Sequence, residues 1–229
     1  MELVIADLSL LTATRDAAAS IVSRHPRISV LINNAGIFDT ARVVTAEGFE
    51  RVLATNVLSP FVFTRELLPA LLAGTPSRIV MVGSSTSDHA HIDPENLTLG
   101  RHWRMRRAYS QSKLALMMAT FALAKRLEGS GVVANVVHPG LVATGLVRTG
   151  GLVGLAWRCL AGIALTEEQG ATTPLYAALA PELAIVSGTY LKNRQIVPPN
   201  PQALDAVQVT RLWKSIERLV AQADGPVQA

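Results

Sequence analysis

Short apolar runs alternate along this chain with longer stretches of mixed apolar and polar residues. The runs predict buried strands at residues 3–6, 28–32, 79–82 and 132–137, with a short late strand at residues 188–191. The stretches between them predict helices at residues 12–23, 47–72, 109–127, 166–179 and 206–223. This alternation predicts an α/β fold in which a parallel sheet carries helices on both faces.

The chain shows no sign of division into separate units. It has 229 residues, of which 49% are hydrophobic, and neither a linker nor a repeat nor a low-complexity tract interrupts it. That length is enough to bury one sizeable core. Residues 1–229 are therefore expected to form a single domain.

The segment from Tyr109 to Lys113 is the most informative stretch for function, because its ends are a phenol and an ammonium four residues apart on a predicted helix. Residues at this spacing share a helix face. The charge of Lys113 would then favour the ionised phenol and lower the pKa of Tyr109 toward the range useful for proton transfer. When such a pair stands alone, the other interpretation is a packed Tyr beside a solvated Lys.

Ser84 adds a second polar group to this candidate site. It follows the apolar run at residues 79–82 after one glycine, at the carboxyl end of a predicted parallel strand. Ligands of open α/β sheets bind at these carboxyl ends. The other interpretation of Ser84 is an ordinary turn hydroxyl, and Ser85 is the alternative to it within the turn.

Further polar residues and glycines recur near the ends of the predicted strands. In chain order the set is Asn33-Asn34-Ala35-Gly36, Asn56, Ser84, Tyr109 with Lys113, and His138-Pro139-Gly140 followed by Thr144. This set resembles the short-chain dehydrogenase/reductase family, and the retinol-dehydrogenase-like branch more than others. The resemblance covers nearly the whole chain, and it implies a Rossmann-like, doubly wound parallel sheet.

The resemblance implies a catalytic role for four residues. Tyr109 would pass a proton to or from the substrate oxygen, and Lys113 would lower its pKa and bind the nicotinamide ribose. Ser84 would hydrogen-bond the carbonyl or alcohol oxygen, and Asn56 would hold a water molecule of the proton relay. The function implied is hydride transfer between NAD or NADP and a small-molecule alcohol, aldehyde or ketone.

The family also implies which residues bind the NAD or NADP cofactor. Besides Tyr109 and Lys113, these are Asp7 and Leu8 near the adenine, Asn34, Ala35 and Gly36 beside the adenosine ribose, and Pro139, Gly140, Val142 and Thr144 near the nicotinamide. The residue that distinguishes NAD from NADP would follow a strand that this sequence lacks. The sequence therefore does not indicate which of the two is preferred.

One family feature has no counterpart in the sequence. Relatives open with a strand, a T-G-x-x-x-G-x-G turn and a helix, whose backbone amides bind the pyrophosphate, whereas residues 1–9 resemble the family's third strand. The domain is thus expected to be truncated, without its first βαβ unit. A start assigned too far downstream and a genuine remnant are the two explanations. Residues 3–6 are expected to be either detached or shifted against residues 28–32.

Charge and composition argue against several other classes. The net charge is +4 and the pI is near 9.6, with a basic cluster at Arg101, Arg104, Arg106 and Arg107. No aromatic platform or nucleic-acid motif accompanies the cluster, so no nucleic-acid partner is expected. It is either a solvated loop face or an attractant for anions. No histidine pair has metal-ligand spacing with carboxylates or thiols, so no metal site is expected.

Location and substrate class rest on weaker signals. Cys159 is the single cysteine, and no secretion signal precedes the first predicted strand, so a cytoplasmic location is expected. The apolar stretch at residues 152–165 is too short to span a bilayer and lies where the resembling family covers its substrate. It predicts a lipophilic substrate, with core packing as the other interpretation and peripheral membrane contact as a lesser one.

A second function from a different class stays open. The alternative to the enzyme is a non-catalytic remnant that serves as a binding or interaction module. It would act through the helices of Asn56 and Tyr109, which in relatives often form subunit interfaces. A homo-oligomer is compatible with either function, whereas cofactor binding distinguishes them.

Overall fold

Five strands among the described residues form one sheet at the centre of the molecule. The computed structural model describes residues 1–140 and 165–223. In the order in which they lie side by side, the strands are β1 (Val30–Asn33), β2 (Ser77–Val82), β3 (Val132–His138), β4 (Tyr190–Lys192) and β5 (Gln195–Val197). Strands β1 to β4 are parallel, and β5 returns antiparallel to β4. This is the Rossmann-like α/β fold that was predicted.

Helices connect the strands and cover the sheet. They are α1 (Leu11–Arg24), α2 (Arg51–Leu53), α3 (Ser59–Ala73), α4 (Met105–Arg126), α5 (Glu167–Leu179) and α6 (Ala206–Ala223). A π-helical turn, Ala54–Leu58, joins α2 to α3. Within the two described ranges, no helix is both long and apolar enough to cross a membrane.

The predicted strands at residues 28–32, 79–82, 132–137 and 188–191 are confirmed, within one or two residues at each end, as β1 to β4. Strand β5 was not predicted. It forms because Asn193 and Arg194 both adopt left-handed backbone conformations, with φ of 48° and 61°, which is the geometry of a two-residue hairpin turn. That turn pairs Lys192 with Gln195.

The strand predicted at residues 3–6 is wrong. Leu3 and Ile5 are 81% and 87% exposed, and the segment pairs with no strand in the part of the chain described. Of the two arrangements expected for it, the structure has the detached one. Its position is set by Glu2, whose carboxylate accepts hydrogen bonds from Arg24 at 2.8 Å and from His25 at 2.9 Å, at the end of α1.

Alternation along the strands divides the core into two layers. On β2, Ile79 and Met81 face the large cluster formed with α1, α3, α4 and α6, whereas Val80 and Val82 face the cluster that contains α5. Successive side chains of a strand point to opposite faces of the sheet. Helices therefore cover both faces, as predicted.

Helix α4 is buried on most of its sides. It packs against β3, against α6 and against the helical segment around residue 56. On its outer side the guanidinium carbon of Arg126 lies 3.9 Å from the centroid of the Trp213 ring, and that ring makes an edge contact with Phe61 at 4.9 Å. The chain's own α6 thus covers the surface shared by α3 and α4.

Helix α1 receives its N-terminal cap from a distant carboxylate. Leu10, at the cap position, makes no side-chain hydrogen bond. Instead Glu47 accepts from the backbone amides of Leu11 at 2.6 Å and Thr12 at 2.9 Å, and from the Thr12 hydroxyl at 2.8 Å. These are donors that a helix leaves without an internal partner, and a negative charge beside them is favourable.

Replacing this cap should measurably destabilise the fold. Glu47→Ala is expected to lower the free energy of unfolding in urea by about 1 to 2 kcal/mol, the usual cost of losing a helix cap. Glu95→Ala is the control, because Glu95 forms an exposed ion pair with Arg218 at 3.4 Å and should change stability by less than about 0.5 kcal/mol. Equal losses in the two variants would contradict the capping role.

Candidate active site

Strand β2 ends where the site begins. Gly83 follows the strand and donates its amide to the Val137 carbonyl at 2.8 Å, and a Cβ there would lie 2.8 Å from Cγ1 of Val136. Only glycine fits so close to the neighbouring strand. The chain then turns at Ser84, which caps a short 3₁₀ helix, Ser85–Ser87, and accepts from the Thr86 amide at 3.3 Å. Ser84 therefore stands at the carboxyl end of β2, as predicted.

Tyr109 reaches this strand end from the first turns of α4. Its phenol interacts with the Ser84 hydroxyl, and its ring meets Phe38 edge to face, with 5.1 Å between the ring centroids. Burial raises the pKa of Tyr109, and the nearby Ser84 hydroxyl lowers it by a smaller amount. Ser84 and Tyr109, both predicted as site residues, thus lie close together, and burial favours the protonated form of the phenol.

The expected lowering of the Tyr109 pKa by Lys113 is wrong for this structure. The ammonium of Lys113 is buried, donates to the Val82 carbonyl at 2.9 Å and lies 5.8 Å from the centroid of the Tyr109 ring. Burial lowers the pKa of Lys113 itself to about 8. Desolvation dominates both groups, because Lys113 is buried and Tyr109 is half-buried, and it favours the neutral form of each.

Asn56 joins three elements at the base of the site. Its Oδ1 accepts from the Ile37 amide at 2.8 Å, and its Nδ2 donates to the Ile37 carbonyl at 3.0 Å and to the Ser112 hydroxyl at 3.0 Å. Asn56 is 1% exposed and lies on the π-helical turn. The side chain thereby ties the loop after β1 to α4.

Gly36 fits between Asn56 and Lys113. A Cβ at this position would lie 3.2 Å from the Lys113 ammonium and 3.4 Å from Oδ1 of Asn56. Next to it, Asn34 and Ala35 are exposed. The backbone of this loop can therefore be approached closely from outside, while the buried ammonium lies directly behind it.

The residues present fit a nicotinamide cofactor. An ammonium carries three donors, and among the described acceptors the Val82 carbonyl is the one to which Lys113 donates. Two N–H groups thus remain for hydroxyl groups such as those of a ribose. The exposed backbone at Asn34 and Ala35 lies along the same strand-end edge, where nucleotides bind to α/β sheets.

The turn that carries Ser84 has a second set of supports, which the sequence did not reveal. The Ser85 amide donates to Nδ1 of His138 at 3.3 Å, and burial lowers the pKa of that imidazole. Asp88 accepts from the Tyr190 hydroxyl at 3.1 Å and is paired with Lys192. No spacing in the sequence links these positions, because β3 and β4 bring them together only in the folded chain.

The other predicted cofactor residues have mixed outcomes. Asp7 is exposed and accepts from the Ser9 amide at 2.9 Å, next to the half-buried Leu8 in the turn before α1. Pro139 is half-buried, and Gly140 has a φ of 90° with Leu165 so close that a Cβ would meet it at 2.4 Å. Val142 and Thr144 lie outside the described residues.

A Rossmann-like sheet with Ser84, Tyr109 and Lys113 gathered at its strand ends defines an α/β oxidoreductase class of protein. Residues 1–150 match the family model of the short chain dehydrogenases. The chain is 37% identical over 221 residues to human retinol dehydrogenase 13, an alignment that covers 93% of this chain and 67% of that protein. The chain belongs to the short chain dehydrogenase family, on its retinol-dehydrogenase-like branch.

Solved structures show the same fold. A protein from Mycobacterium paratuberculosis superposes with a TM-score of 0.74 at 31% identity, covering 94% of this chain and 74% of the other. A short chain dehydrogenase from Burkholderia cenocepacia, solved in complex with NADP, superposes with a TM-score of 0.61 at 26% identity, covering 82% and 73%. The family and fold predicted from the sequence are thus confirmed.

The buried Lys113 makes stability depend on pH in a predictable direction. Its folded pKa of about 8 is below its ordinary value of 10.5, so between these values the unfolded chain binds more protons and stability rises with pH. Unfolding free energy in urea should increase by on the order of 2 kcal/mol between roughly pH 7.5 and 9.5.

Lys113→Met should abolish this rise, whereas Lys125→Met, at an exposed position of the same helix, should leave it in place. The comparison with wild type separates the contribution of Lys113 to the pH dependence of stability from the contributions of all other titrating groups. A rise that persists unchanged in Lys113→Met would show that the ammonium is not buried in the folded chain.

Proposed function

We propose that this chain transfers a hydride between NAD or NADP and an alcohol or carbonyl carbon, with Tyr109 as the general acid or base. The observation that carries the proposal is the grouping at the end of β2. The Tyr109 phenol interacts with the Ser84 hydroxyl, while the Lys113 ammonium lies one helical turn away, bonded to the Val82 carbonyl. A proton donor, a second donor and a buried cation thus converge at one strand end.

Ser84 and Tyr109 would act on the substrate oxygen together. A carbonyl oxygen that receives a hydride becomes an alkoxide, and two hydroxyl groups aimed at it would stabilise the developing charge. Because burial raises the pKa of Tyr109, its phenol is protonated at neutral pH and can give its proton to that oxygen. In the opposite direction the phenolate would remove the alcohol proton.

The NAD or NADP cofactor supplies the hydride, or accepts it, when bound. Lys113 would donate its free N–H groups to the nicotinamide ribose, and Gly36 leaves the space that this approach needs. Asn34 and Ala35 would bind the adenosine side, with Asp7 and Leu8 near the adenine. Pro139, Gly140, Val142 and Thr144 remain the proposed nicotinamide side.

Asn56 has its amide fully engaged with Ile37 and Ser112. It can still contribute to a proton relay, because its Oδ1 has a second lone pair that can accept from a water molecule. We retain the proposed water-holding role.

A lipophilic substrate is the second part of the proposal. Residues 152–165 are strongly apolar in sequence, and the relative at 37% identity is named a retinol dehydrogenase, which acts on a lipophilic alcohol by that name. Leu165, the described end of the stretch, contacts Gly140 on the proposed nicotinamide side. Alcohols and aldehydes with long apolar chains are therefore the substrates to test first.

The interaction-module alternative has less support from the structure. It needs an accessible surface on the helices of Asn56 and Tyr109, but α6 covers α3 and α4 through Trp213 and its neighbours. Thirteen residues of α4 are buried within the chain itself. Little of this helix is left for a partner.

Cofactor binding separates the two functions. Titration of NADH and NADPH into the folded 229-residue chain, followed by nucleotide fluorescence, is expected to give a Kd on the order of micromolar for at least one of them. Circular dichroism establishes folding first. A folded chain that binds neither nucleotide would contradict the oxidoreductase function of this chain and favour the module.

Replacing the proposed acid should separate binding from turnover. Tyr109→Phe is expected to lower kcat by about 10²- to 10⁴-fold, the usual contribution of a general acid or base, and to leave nucleotide affinity within about threefold, because the ring still packs against Phe38. Tyr176→Phe is the matched control, since that phenol, on α5, donates to the Glu182 carboxylate just beyond the end of the helix. Unchanged turnover in Tyr109→Phe would rule out the proposed role.

A further inference from the structure

We propose that Ser112 is a positioning residue of this site, which sets the orientation of the Asn56 amide relative to Tyr109. The inference rests on the proposed function, because it gives a task to a residue beside the proton-transfer group. Ser112 lies between Tyr109 and Lys113 on α4 and is 2% exposed. Its hydroxyl is bonded within the protein, to Tyr109 and to Asn56, so it would act through these neighbours.

The Ser112 hydroxyl bridges two groups, and its chemistry determines which one donates. Its Oγ lies 2.8 Å from the Tyr109 carbonyl and 3.0 Å from Nδ2 of Asn56. A hydroxyl has one proton and a carbonyl has none to give, so Ser112 donates to Tyr109 and must accept from Asn56. The bridge therefore runs in one direction only.

This direction fixes the Asn56 amide. Its NH₂ group must face Ser112, which turns its oxygen toward the Ile37 amide at 2.8 Å, while the remaining N–H reaches the Ile37 carbonyl at 3.0 Å. A flipped amide would set its oxygen against the Ser112 oxygen and its NH₂ against the Ile37 N–H. Ser112 and Ile37 thus select the same orientation from opposite sides.

The orientation matters because the loop held by Asn56 lies against the catalytic cation. Ile37 follows Gly36, where a Cβ would be only 3.2 Å from the Lys113 ammonium. If Asn56 loses its acceptor on α4, it keeps only the loop contacts, and the loop is no longer tied to the helix that carries Tyr109 and Lys113. The distance between the helix and the loop then depends on packing alone.

Ser110 provides a matched control two residues earlier on the same helix. Its hydroxyl makes the same kind of bond, to the Arg107 carbonyl three residues back at 3.3 Å, but no bond to a side chain of another element is present for it in the described structure. Serine hydroxyls commonly bond this way within helices. What distinguishes Ser112 is the contact with Asn56, so the two serines test that contact alone.

The first measurement is steady-state turnover. Ser112→Ala is expected to lower kcat by roughly ten- to a hundredfold, the cost of a small misplacement of reacting groups. Ser112→Thr keeps the hydroxyl and should recover most of the loss, and Ser110→Ala should match wild type. In an Asn56→Ala background, Ser112→Ala should cause no further loss, because the partner is already absent.

The second measurement does not need turnover. Hydrogen exchange of the Ile37 amide, followed by NMR on the 229-residue chain, should become roughly tenfold faster in Ser112→Ala and stay unchanged in Ser110→Ala, since only the first loosens the loop. Should Ser112→Ala fail to fold in thermal melts, Ser112→Cys replaces it, because a thiol is a weak acceptor.

These two readouts separate the inference from the proposed function. Unchanged Ile37 exchange in Ser112→Ala overturns the positioning role whatever the turnover, as does a full additional loss of kcat in the Asn56→Ala background. A chain that turns over no substrate with either nucleotide, yet shows faster Ile37 exchange in Ser112→Ala, contradicts the proposed function and supports the positioning role.

Discussion

The geometry of the site depends on the hydrogen bond that the buried Lys113 ammonium donates to the Val82 carbonyl. A buried charge costs free energy unless it is paired or hydrogen-bonded, and Nζ offsets part of this cost by donating to the Val82 carbonyl at 2.9 Å. That bond joins α4 to the last residue of β2. Since Ser84 follows two residues after Val82 and Tyr109 precedes Lys113 by one helical turn, one contact sets the distance between them.

Two amide side chains, the buried Asn56 and the half-buried Gln202, hold loops by pairing with backbone groups as a neighbouring strand would. Asn56 pairs with both backbone groups of Ile37 at 2.8 and 3.0 Å, and Gln202 does the same with Ile92 at 3.0 and 3.1 Å. Loops at the edge of a sheet leave such groups without regular partners, and an unpaired buried group is costly. These amides satisfy the backbone N–H and C=O groups of the loops without an additional strand. The strand ends therefore stay open for a ligand.

Local pattern was enough to predict most of the fold, and long-range contact explains the remainder. Strands β2 and β3 read as continuous apolar runs because both of their faces are buried. Residues 3–6 are also apolar but form no strand, and β1 is an edge strand of the described sheet. Among the site residues, Tyr109 and Lys113 were predicted from their spacing and Ser84 from its place after an apolar run, whereas the long-range partners of Ser112 and His138 lie 56 and 53 residues away.

The protonation states at the site follow from competition between burial and charge, which spacing alone could not decide. The four-residue separation of Tyr109 and Lys113 predicts an ammonium that favours the phenolate. Desolvation acts on both groups, however, and disfavours both charged forms. It raises the pKa of Tyr109 and lowers that of Lys113 to about 8. On raising the pH, Lys113 therefore loses its proton before Tyr109 does. A phenol in this state can donate a proton, as the carbonyl reduction proposed for this site would require. Alcohol oxidation needs the phenolate, and any acceptor that bonds the free N–H groups of Lys113 would stabilise its charge and shift the balance toward that form.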